Sequence, residues 1–320
     1  MEKKLGVITS GGDAPGMNAA IRSVVRQGIA LGYSMIGIKR GLKGLLEDEY
    51  ISLTARSVSG IINLGGTILH TGRCSETKTE HGLNAAVEAV RRIGLEGLII
   101  IGGDGSLAAG NALSKLGIKV MNIAASIDND IYGTDETIGY DTALNTAVEA
   151  IDKIRDTATS HDRIFVVEIM GRKHGFLTAD VGLAAGCEFI IVPELETDIN
   201  KFAKGLKEGK NKGKTSEIIA FAEGCGSSQT FGSSIEELTG CEVRVSNLGY
   251  IQRGGTPTAR TRILASKFGY AAVDLFHKGQ INHLIGITNG NISAVPITEA
   301  ISSEKKFDVK TFNVLKTLSV

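Results

Sequence analysis

Residues 97–106 read GLIIIGGDGS. Four successive apolar residues, Leu98 to Ile101, end in two glycines and an aspartate. The next residues, LAAGNAL, have the composition of a helix. A short apolar run closed by glycine and followed by helix formers reads as strand, tight turn, helix. Residues 5–21, LGVITSGGDAPGMNAAI, repeat that order with a second Gly-Gly-Asp. The echo fits an internal duplication and equally fits the general way α/β strands end. Three further runs behave alike: KVMNIAA passes into SIDND, IFVVEIM into GRKHG, and EIIAFAE into GCGSS. Unbroken apolar strands separated by helix-length segments predict βαβ units and a mostly parallel sheet.

The intervening helices are also readable. Leu144, Ala147, Val148, Ile151 and Ile154 form one apolar stripe on a helix opening near Thr142. A second helix is predicted over 84–93, where Val87 falls off the stripe, and a third along MNAAIRSVVRQGIAL after the first Gly-Gly-Asp turn. In an open α/β sheet, ligands bind outside the carboxyl ends of the strands. Both Gly-Gly-Asp turns and SIDND fall there.

Bulk properties narrow the classes. The 320 residues suffice for two domains or one large α/β unit. A formal net charge of +0 gives no overall signal for nucleic acid or a membrane surface, so any basic site is local. No apolar run approaches the ~20 residues of a membrane helix. The N-terminal MEKKLGVITSGG is too short in its apolar part for a signal sequence. Cys74, Cys187, Cys225 and Cys241 are scattered, which fits reduced thiols. The expectation is a cytoplasmic protein.

Glycine turns entering helices let backbone N–H groups approach a phosphate, with the helix N-terminus adding a favourable field. The chain lacks both the G-x-x-x-x-G-K-[ST] run and a G-x-G-x-x-G after its first strand. Each Gly-Gly-Asp turn alone leaves a structural turn and a phosphate cradle open. Asp104 inside the second turn would repel a phosphate unless a cation lay between them, and Mg²⁺ prefers such mixed carboxylate and phosphate sites. Asp128 and Asp130 could close a turn, bind a metal or take a proton. Arg73, Arg163, Arg172, Arg244 and Arg253 all stand in loop-like stretches, and a planar guanidinium suits phosphate oxygens.

Five ordered motifs, GVITSGGDAPGMNAAIR, IIGGDGS, SIDNDIYGTD, VEIMGR and LGYIQRGGTP, resemble the bacterial ATP-dependent 6-phosphofructokinases. The resemblance implies two similar Rossmann-like α/β domains with a cleft between them, in a homotetramer whose active sites are shared between subunits. Residues 1–139 with 252–302 would bind ATP, and 140–251 with 303–320 fructose 6-phosphate. Carried over by position, Gly12, Arg73, Cys74, Gly103, Asp104, Gly105 and Ser106 match the nucleotide site. Asp104 and Asp130 match the Mg²⁺ region. Asp128 matches the base for the sugar 1-hydroxyl, and Arg73 and Arg172 stabilise the phosphoryl group in transfer. Ser126, Ile127, Met170, Gly171, Glu223, Tyr250, Ile251, Gln252 and Arg253 match sugar-phosphate contacts. Arg163 and Arg244 match residues reaching the 6-phosphate from a neighbouring subunit. Arg22, Arg26, Arg155, Glu188, Lys212 and Lys214 match the allosteric site.

The chain departs from the family in a few places. Tyr250 replaces a histidine that contacts the 6-phosphate, and Thr261 replaces an acid. Ala125 replaces a glycine and requires a negative φ. Ala55 and Arg56 replace an arginine and an aromatic of the allosteric site. Pyrophosphate-dependent relatives carry an acid at the position of Gly105 and a lysine at that of Ala125, so the small residues here favour ATP. The departures keep two alternatives in view: a weakly active or regulatory paralogue, and a kinase for another sugar phosphate or phosphoryl donor.

Overall fold

The computed structural model describes residues 2–318 apart from 212 and 215. It has two compact units, Met1–Thr142 with Arg253–Lys305, and Ala143–Gln252 with Lys306–Val320. In chain order the first unit contributes β1 (Lys4–Thr9), α1 (Met17–Ala30), β2 (Ser34–Ile38), α2 (Gly41–Leu46), β3 (Tyr50–Leu53), α3 (Glu80–Ile93), β4 (Leu95–Gly102), α4 (Asp104–Lys115), β5 (Val120–Ser126) and β6 (Ile138–Gly139). Helix α5 (Tyr140–His161) carries the chain into the second unit. There follow β7 (Ile164–Ile169), α6 (Phe176–Ala184), β8 (Phe189–Ile191), α7 (Ile199–Asn211), β9 (Glu217–Ala222), α8 (Ser228–Thr239) and β10 (Val243–Asn247). The chain then adds α9 (Ala259–His277), β11 (His283–Thr288), β12 (Asn291–Pro296) and α10 (Ile297–Ser302) to the first unit, and α11 (Val309–Leu318) to the second.

The first sheet runs β12-β11-β5-β4-β1-β2-β3, with β6 pairing to β5. From β11 to β2 all neighbours are parallel, while β3 and β12 close the edges antiparallel. β1 and β4 are buried almost throughout, as covered parallel strands must be. β3 and β12 expose most of their residues, which suits edge strands. The two strands of the sequence echo, β1 and β4, are neighbours in this sheet. Helices α1 and α9 pack closely because Gly269 has no side chain: a Cβ there would lie 2.7 Å from the Ala20 carbonyl. The Ser23 hydroxyl donates to the Ser266 carbonyl at 2.6 Å across the same contact.

The second sheet, β10-β7-β9-β8, is entirely parallel. Its core joins Val166, Ile219, Phe221, Leu206 and Ile235, and a file of rings, Phe189, Phe202, Phe231 and Phe221, extends it with centroids 4.6, 5.7 and 5.0 Å apart. Both units are therefore α/β with parallel central strands, as the strand–glycine–helix alternation predicts.

Helix boundaries follow from their caps. α3 starts four residues before the predicted 84 because the Thr79 hydroxyl accepts from Gly82 N at 3.1 Å, and it stops at Gly94 in the left-handed region. Val87, off the predicted stripe, is buried. Along α5, Ala147 and Ile151 are buried and Leu144, Val148 and Ile154 half-buried, as the stripe requires. Among the described residues no helix is long and apolar enough to cross a membrane.

One residue contradicts its surroundings. Glu217 opens β9 and is only 4% exposed. Burial pushes its carboxyl up to about 7; the nearby Glu188 carboxylate adds to the shift, and Lys214 opposes it. A carboxyl whose pKa is raised by folding binds more protons in the folded than in the unfolded chain between the two pKa values. Stability therefore falls as pH rises from the ordinary carboxylate range to about 7, and is flat above it. Glu217→Gln should remove that slope and stabilise the protein above neutrality by up to about 3 kcal/mol. Urea unfolding of both forms at acidic and alkaline pH measures it; parallel losses in the two proteins would refute the assignment.

Candidate active site

Strand order in the first unit reverses between β1 and β4: the chain proceeds to β2 and β3 on one side of β1, and to β4, β5 and β11 on the other. Such a switch point opens a crevice at the strands' carboxyl ends. Both Gly-Gly-Asp turns flank it. The turns are tied together by the buried Ser106 hydroxyl, which donates to the Ser10 carbonyl at 2.9 Å, while Ser10 N reaches Ile101 O at 3.0 Å. A Cβ on Gly102 would lie 2.5 Å from that Ser10 carbonyl and 2.3 Å from Ser106 Oγ. Gly103 caps α4, placing exposed Asp104 and Gly105 in its first turn. Beyond Gly105 the space is open: an added Cβ meets nothing within 4 Å.

Other segments converge on the first turn. Arg253 passes over Gly12 and donates to the Asp13 carbonyl at 3.2 Å; a side chain on Gly12 would stand 2.8 Å from that guanidinium. The Thr71 hydroxyl donates to Gly11 O at 2.9 Å and so fixes the segment carrying Arg73. The neighbouring Cys74 thiol donates to Glu76 at 3.4 Å.

Next to β4, strand β5 delivers Ser126, Ile127, Asp128 and Asp130. Ser126 Oγ accepts from Asp128 N at 3.1 Å. Asn129 adopts the left-handed conformation at φ 53, and its amide clasps the returning chain through Asp135 O and Thr137 N, each at 3.1 Å. Asparagine tolerates this conformation, yet between two carboxylates it carries no signal of its own in the sequence. Asp128 is 1% exposed and Asp130 half-buried. Ala125 lies inside β5, paired with Ile138, and is not among the positive-φ residues, so its Cβ costs nothing. Among the described residues no three potential ligating side chains gather as a metal cage. The donor set of exposed Asp104 and half-buried Asp130 fits a cation that takes one or two carboxylates and completes its shell with phosphate and water oxygens.

In the second unit three neighbouring carboxyl ends meet. β7 is followed by Met170, Gly171 and Arg172; β9 is followed by Glu223; β10 leads to a short 3₁₀ turn, Gly249–Arg253. One oxygen of Glu223 accepts from the successive N–H groups of Gly171 and Arg172. Gly171 tolerates no side chain, since a Cβ would lie 2.5 Å from His174 O. Tyr250, at 83% exposure, and Ile251 project outward. Gln252 does not: it is fully buried, accepts from Met170 N at 3.3 Å and donates to Gly249 O at 3.1 Å. Its amide is spent inside the unit, stitching 170 to 249.

Arg163 and Arg244 are brought together by Glu242, which sequence reasoning missed. Its two oxygens accept from Arg163 Nε, at 2.8 Å, and from the Arg244 guanidinium. The Arg163 bond, aided by both positive charges, holds the Glu242 carboxyl below the usual range. Of the residues matched to the allosteric site, Arg22 and Arg26 lie on α1, and Arg26 reaches the Ala55 carbonyl at 3.4 Å. Arg155 spans Glu188 at 3.2 Å and the Ala185 and Gly186 carbonyls, both at 2.9 Å. Lys214 lies beside Glu217, and Lys212 lies outside the described residues. Thr261, where the family pattern has an acid, is buried in a hydroxyl cluster with Thr142, at 2.9 Å, and Thr258, at 3.1 Å, which also caps α9.

A phosphofructokinase family model matches residues 4–276. The ATP-dependent 6-phosphofructokinase of Clostridium tetani is 50% identical over 317 residues, covering 99% of each chain, and that of Clostridium botulinum is 47% identical with the same coverage. Among solved structures, Pichia pastoris phosphofructokinase in the T-state superimposes with a TM-score of 0.89 at 31% identity. The Saccharomyces cerevisiae phosphofructokinase superimposes at 0.87 and 33%. Each yeast superposition covers 99% of this chain, which spans only 39% and 47% of those longer chains. A pyrophosphate-dependent phosphofructokinase from Marinobacter aquaeolei, 20% identical at a TM-score of 0.85, shares the fold. A parallel α/β sheet with glycine turns at its switch point defines a phosphate-handling class, and within it the chain belongs to the phosphofructokinase family.

The closeness of the two Gly-Gly-Asp turns rests on Gly102. Gly102→Ala should force the Ser106–Ser10 contact apart and cost about 1–3 kcal/mol, as overpacking against backbone does. Thermal unfolding measures it, with a melting temperature lower by several degrees expected and an unchanged one contradicting the packing argument.

Proposed function

We propose that this chain is an ATP-dependent 6-phosphofructokinase, a cytoplasmic glycolytic phosphotransferase that converts fructose 6-phosphate and ATP to fructose 1,6-bisphosphate and ADP. The observation that carries the reading is end-to-end identity of 50% with an enzyme of that name. The donor choice is supported by Gly105, whose open surroundings leave room for a nucleoside. The first unit supplies the nucleotide-binding residues, Gly12, Arg73, Cys74, Gly103, Asp104, Gly105 and Ser106, together with Asp128. The second supplies sugar-phosphate contacts from Met170, Gly171, Glu223, Tyr250 and Ile251. The proposed assembly is a homotetramer in which Arg163 and Arg244 serve a neighbour's substrate.

In this reading Asp128 accepts the proton of the sugar 1-hydroxyl as that oxygen attacks the γ-phosphorus. The bond from the γ-phosphorus to the bridging oxygen breaks, and ADP departs with the electron pair. Phosphoryl transfer is catalysed chiefly by positioning and charge stabilisation. Arg73 and Arg172 oppose the charge on the group in flight. Mg²⁺, when bound at Asp104 and Asp130, neutralises phosphate charge. Burial of Asp128, 1% exposed, keeps bulk water from its carboxylate.

Purified protein should turn over with fructose 6-phosphate, Mg²⁺ and ATP in a coupled assay, and not with pyrophosphate. Binding without turnover would favour the regulatory paralogue. Asp128→Ser should lower kcat by about 10²–10⁴-fold, the worth of a positioned base, with little change in KM. Unaffected turnover would remove Asp128 from the base role. Tyr250→His should lower the KM for fructose 6-phosphate, because imidazole can add positive charge where a phenol cannot; an equal or higher KM would show the tyrosine already suited to its ligand.

A further inference from the structure

The carboxyl end of β7 carries a carboxylate that the reaction does not use. Glu168 is the penultimate residue of β7 and pairs with Asn247 on β10 and Phe221 on β9. Its side chain is half-buried. One oxygen accepts from the Ser228 hydroxyl at the start of α8, and the other from the Asn247 amide at the end of β10. Its backbone carbonyl accepts from Leu248 N at 3.1 Å. One residue thus fixes the first residue of a helix, the last residue of a strand and the residue beyond it.

The root of the turn is also held by Leu248, which is buried. Gly249 has φ 52, a conformation that no side chain guides. Tyr250 and Ile251 are exposed, so packing does not hold them. The turn is next tied at Gln252, back to Met170. The stretches 170–172 and 249–252 therefore leave neighbouring strands joined at the root by Glu168 and farther out by Gln252. A carboxylate near the start of α8 also suits the helix dipole, and that alone would be a structural role. The second bond, to Asn247, serves no such purpose. Two acceptor oxygens facing two donors are what a carboxylate supplies and a neutral amide does not.

We propose that Glu168 is a positioning residue that sets the departure of residues 249–252 from β10 and thereby the affinity for the sugar phosphate, without touching it. This rests on the kinase reading above. Losing a hydrogen bond to a charged group should raise the KM for fructose 6-phosphate about ten-fold in Glu168→Ala and in Asn247→Ala, with kcat and the KM for ATP within about two-fold of wild type. Glu168→Gln should recover most of the loss, since the Asn247 amide can turn to present its oxygen. Ser228→Ala, which removes only the helix-side bond, should lower the melting temperature and leave that KM unchanged. An unchanged KM in Asn247→Ala, or an equal rise in Ser228→Ala, overturns the proposal. If Glu168→Ala does not fold, exposed Asn247 still decides. Calorimetric titration with fructose 6-phosphate, without nucleotide, separates the two readings. Wild-type protein that binds but does not turn over removes the kinase reading, while a weaker Asn247→Ala complex still supports the role of Glu168. Equal affinities overturn that role, and a wild type that binds no fructose 6-phosphate overturns both.

Discussion

The hydrogen bond from the Ser106 hydroxyl to the Ser10 carbonyl joins the carboxyl ends of β1 and β4 where the strand order reverses. It exists because Gly102 leaves the space empty. With the two turns side by side, their backbone N–H groups and the start of α4 face one crevice. Arg253 can then lie over the first turn, since Gly12 also lacks a side chain. The proposed nucleotide face thus consists mainly of backbone, and its few side chains are those with charge to contribute. That is an economical way to bind phosphate, because N–H groups fixed by a sheet need no reorganisation on binding.

Five of the parallel strands, β1, β4, β5, β7 and β9, were legible because burial on both faces leaves continuous apolar runs, and their turns because glycine punctuates them; the parallel β2, β8, β10 and β11 were not. β3 and β12 were not, being exposed edge strands without such a run. Of the candidate site, the carboxylates, arginines and glycine turns could be named as candidates from residue type and position, while their separate roles came from the family resemblance. The scaffold could not. Gln252 meets Met170 across 82 positions, and Arg163 meets Glu242 across 79. Asn129 acts through a backbone conformation that its neighbours in sequence do not announce. Pairings of this kind follow from topology, and no periodicity encodes them.

The departures from the family pattern fall unequally on the structure. Ala125 is absorbed by extended strand geometry. Thr261 exchanges an expected charge for a neutral hydroxyl cluster, which avoids burying an ion and sits within the cap that Thr258 gives α9. Tyr250 alone projects into solvent, so the fold does not constrain it and its effect is confined to whatever it meets there. None of the three disturbs the placement of Asp104, Asp128 or Asp130. A chain drifting from catalysis has no reason to keep that set intact while adjusting the surroundings, and this weighs for a working kinase with a tuned sugar-phosphate end.

The charge arrangement at Arg163 and Arg244 points the same way. Both arginines are held by one exposed carboxylate, and exposed ion pairs are weak because water solvates each partner nearly as well. Glu242 therefore orders two guanidinium groups without binding them firmly. A phosphate with two negative charges, presented to that pair, competes easily with a single carboxylate, and bidentate bonds repay the exchange. On the proposed reading, Glu242 would act as a placeholder: it holds the two guanidinium groups together until the ligand displaces it, so less conformational entropy would be lost at binding.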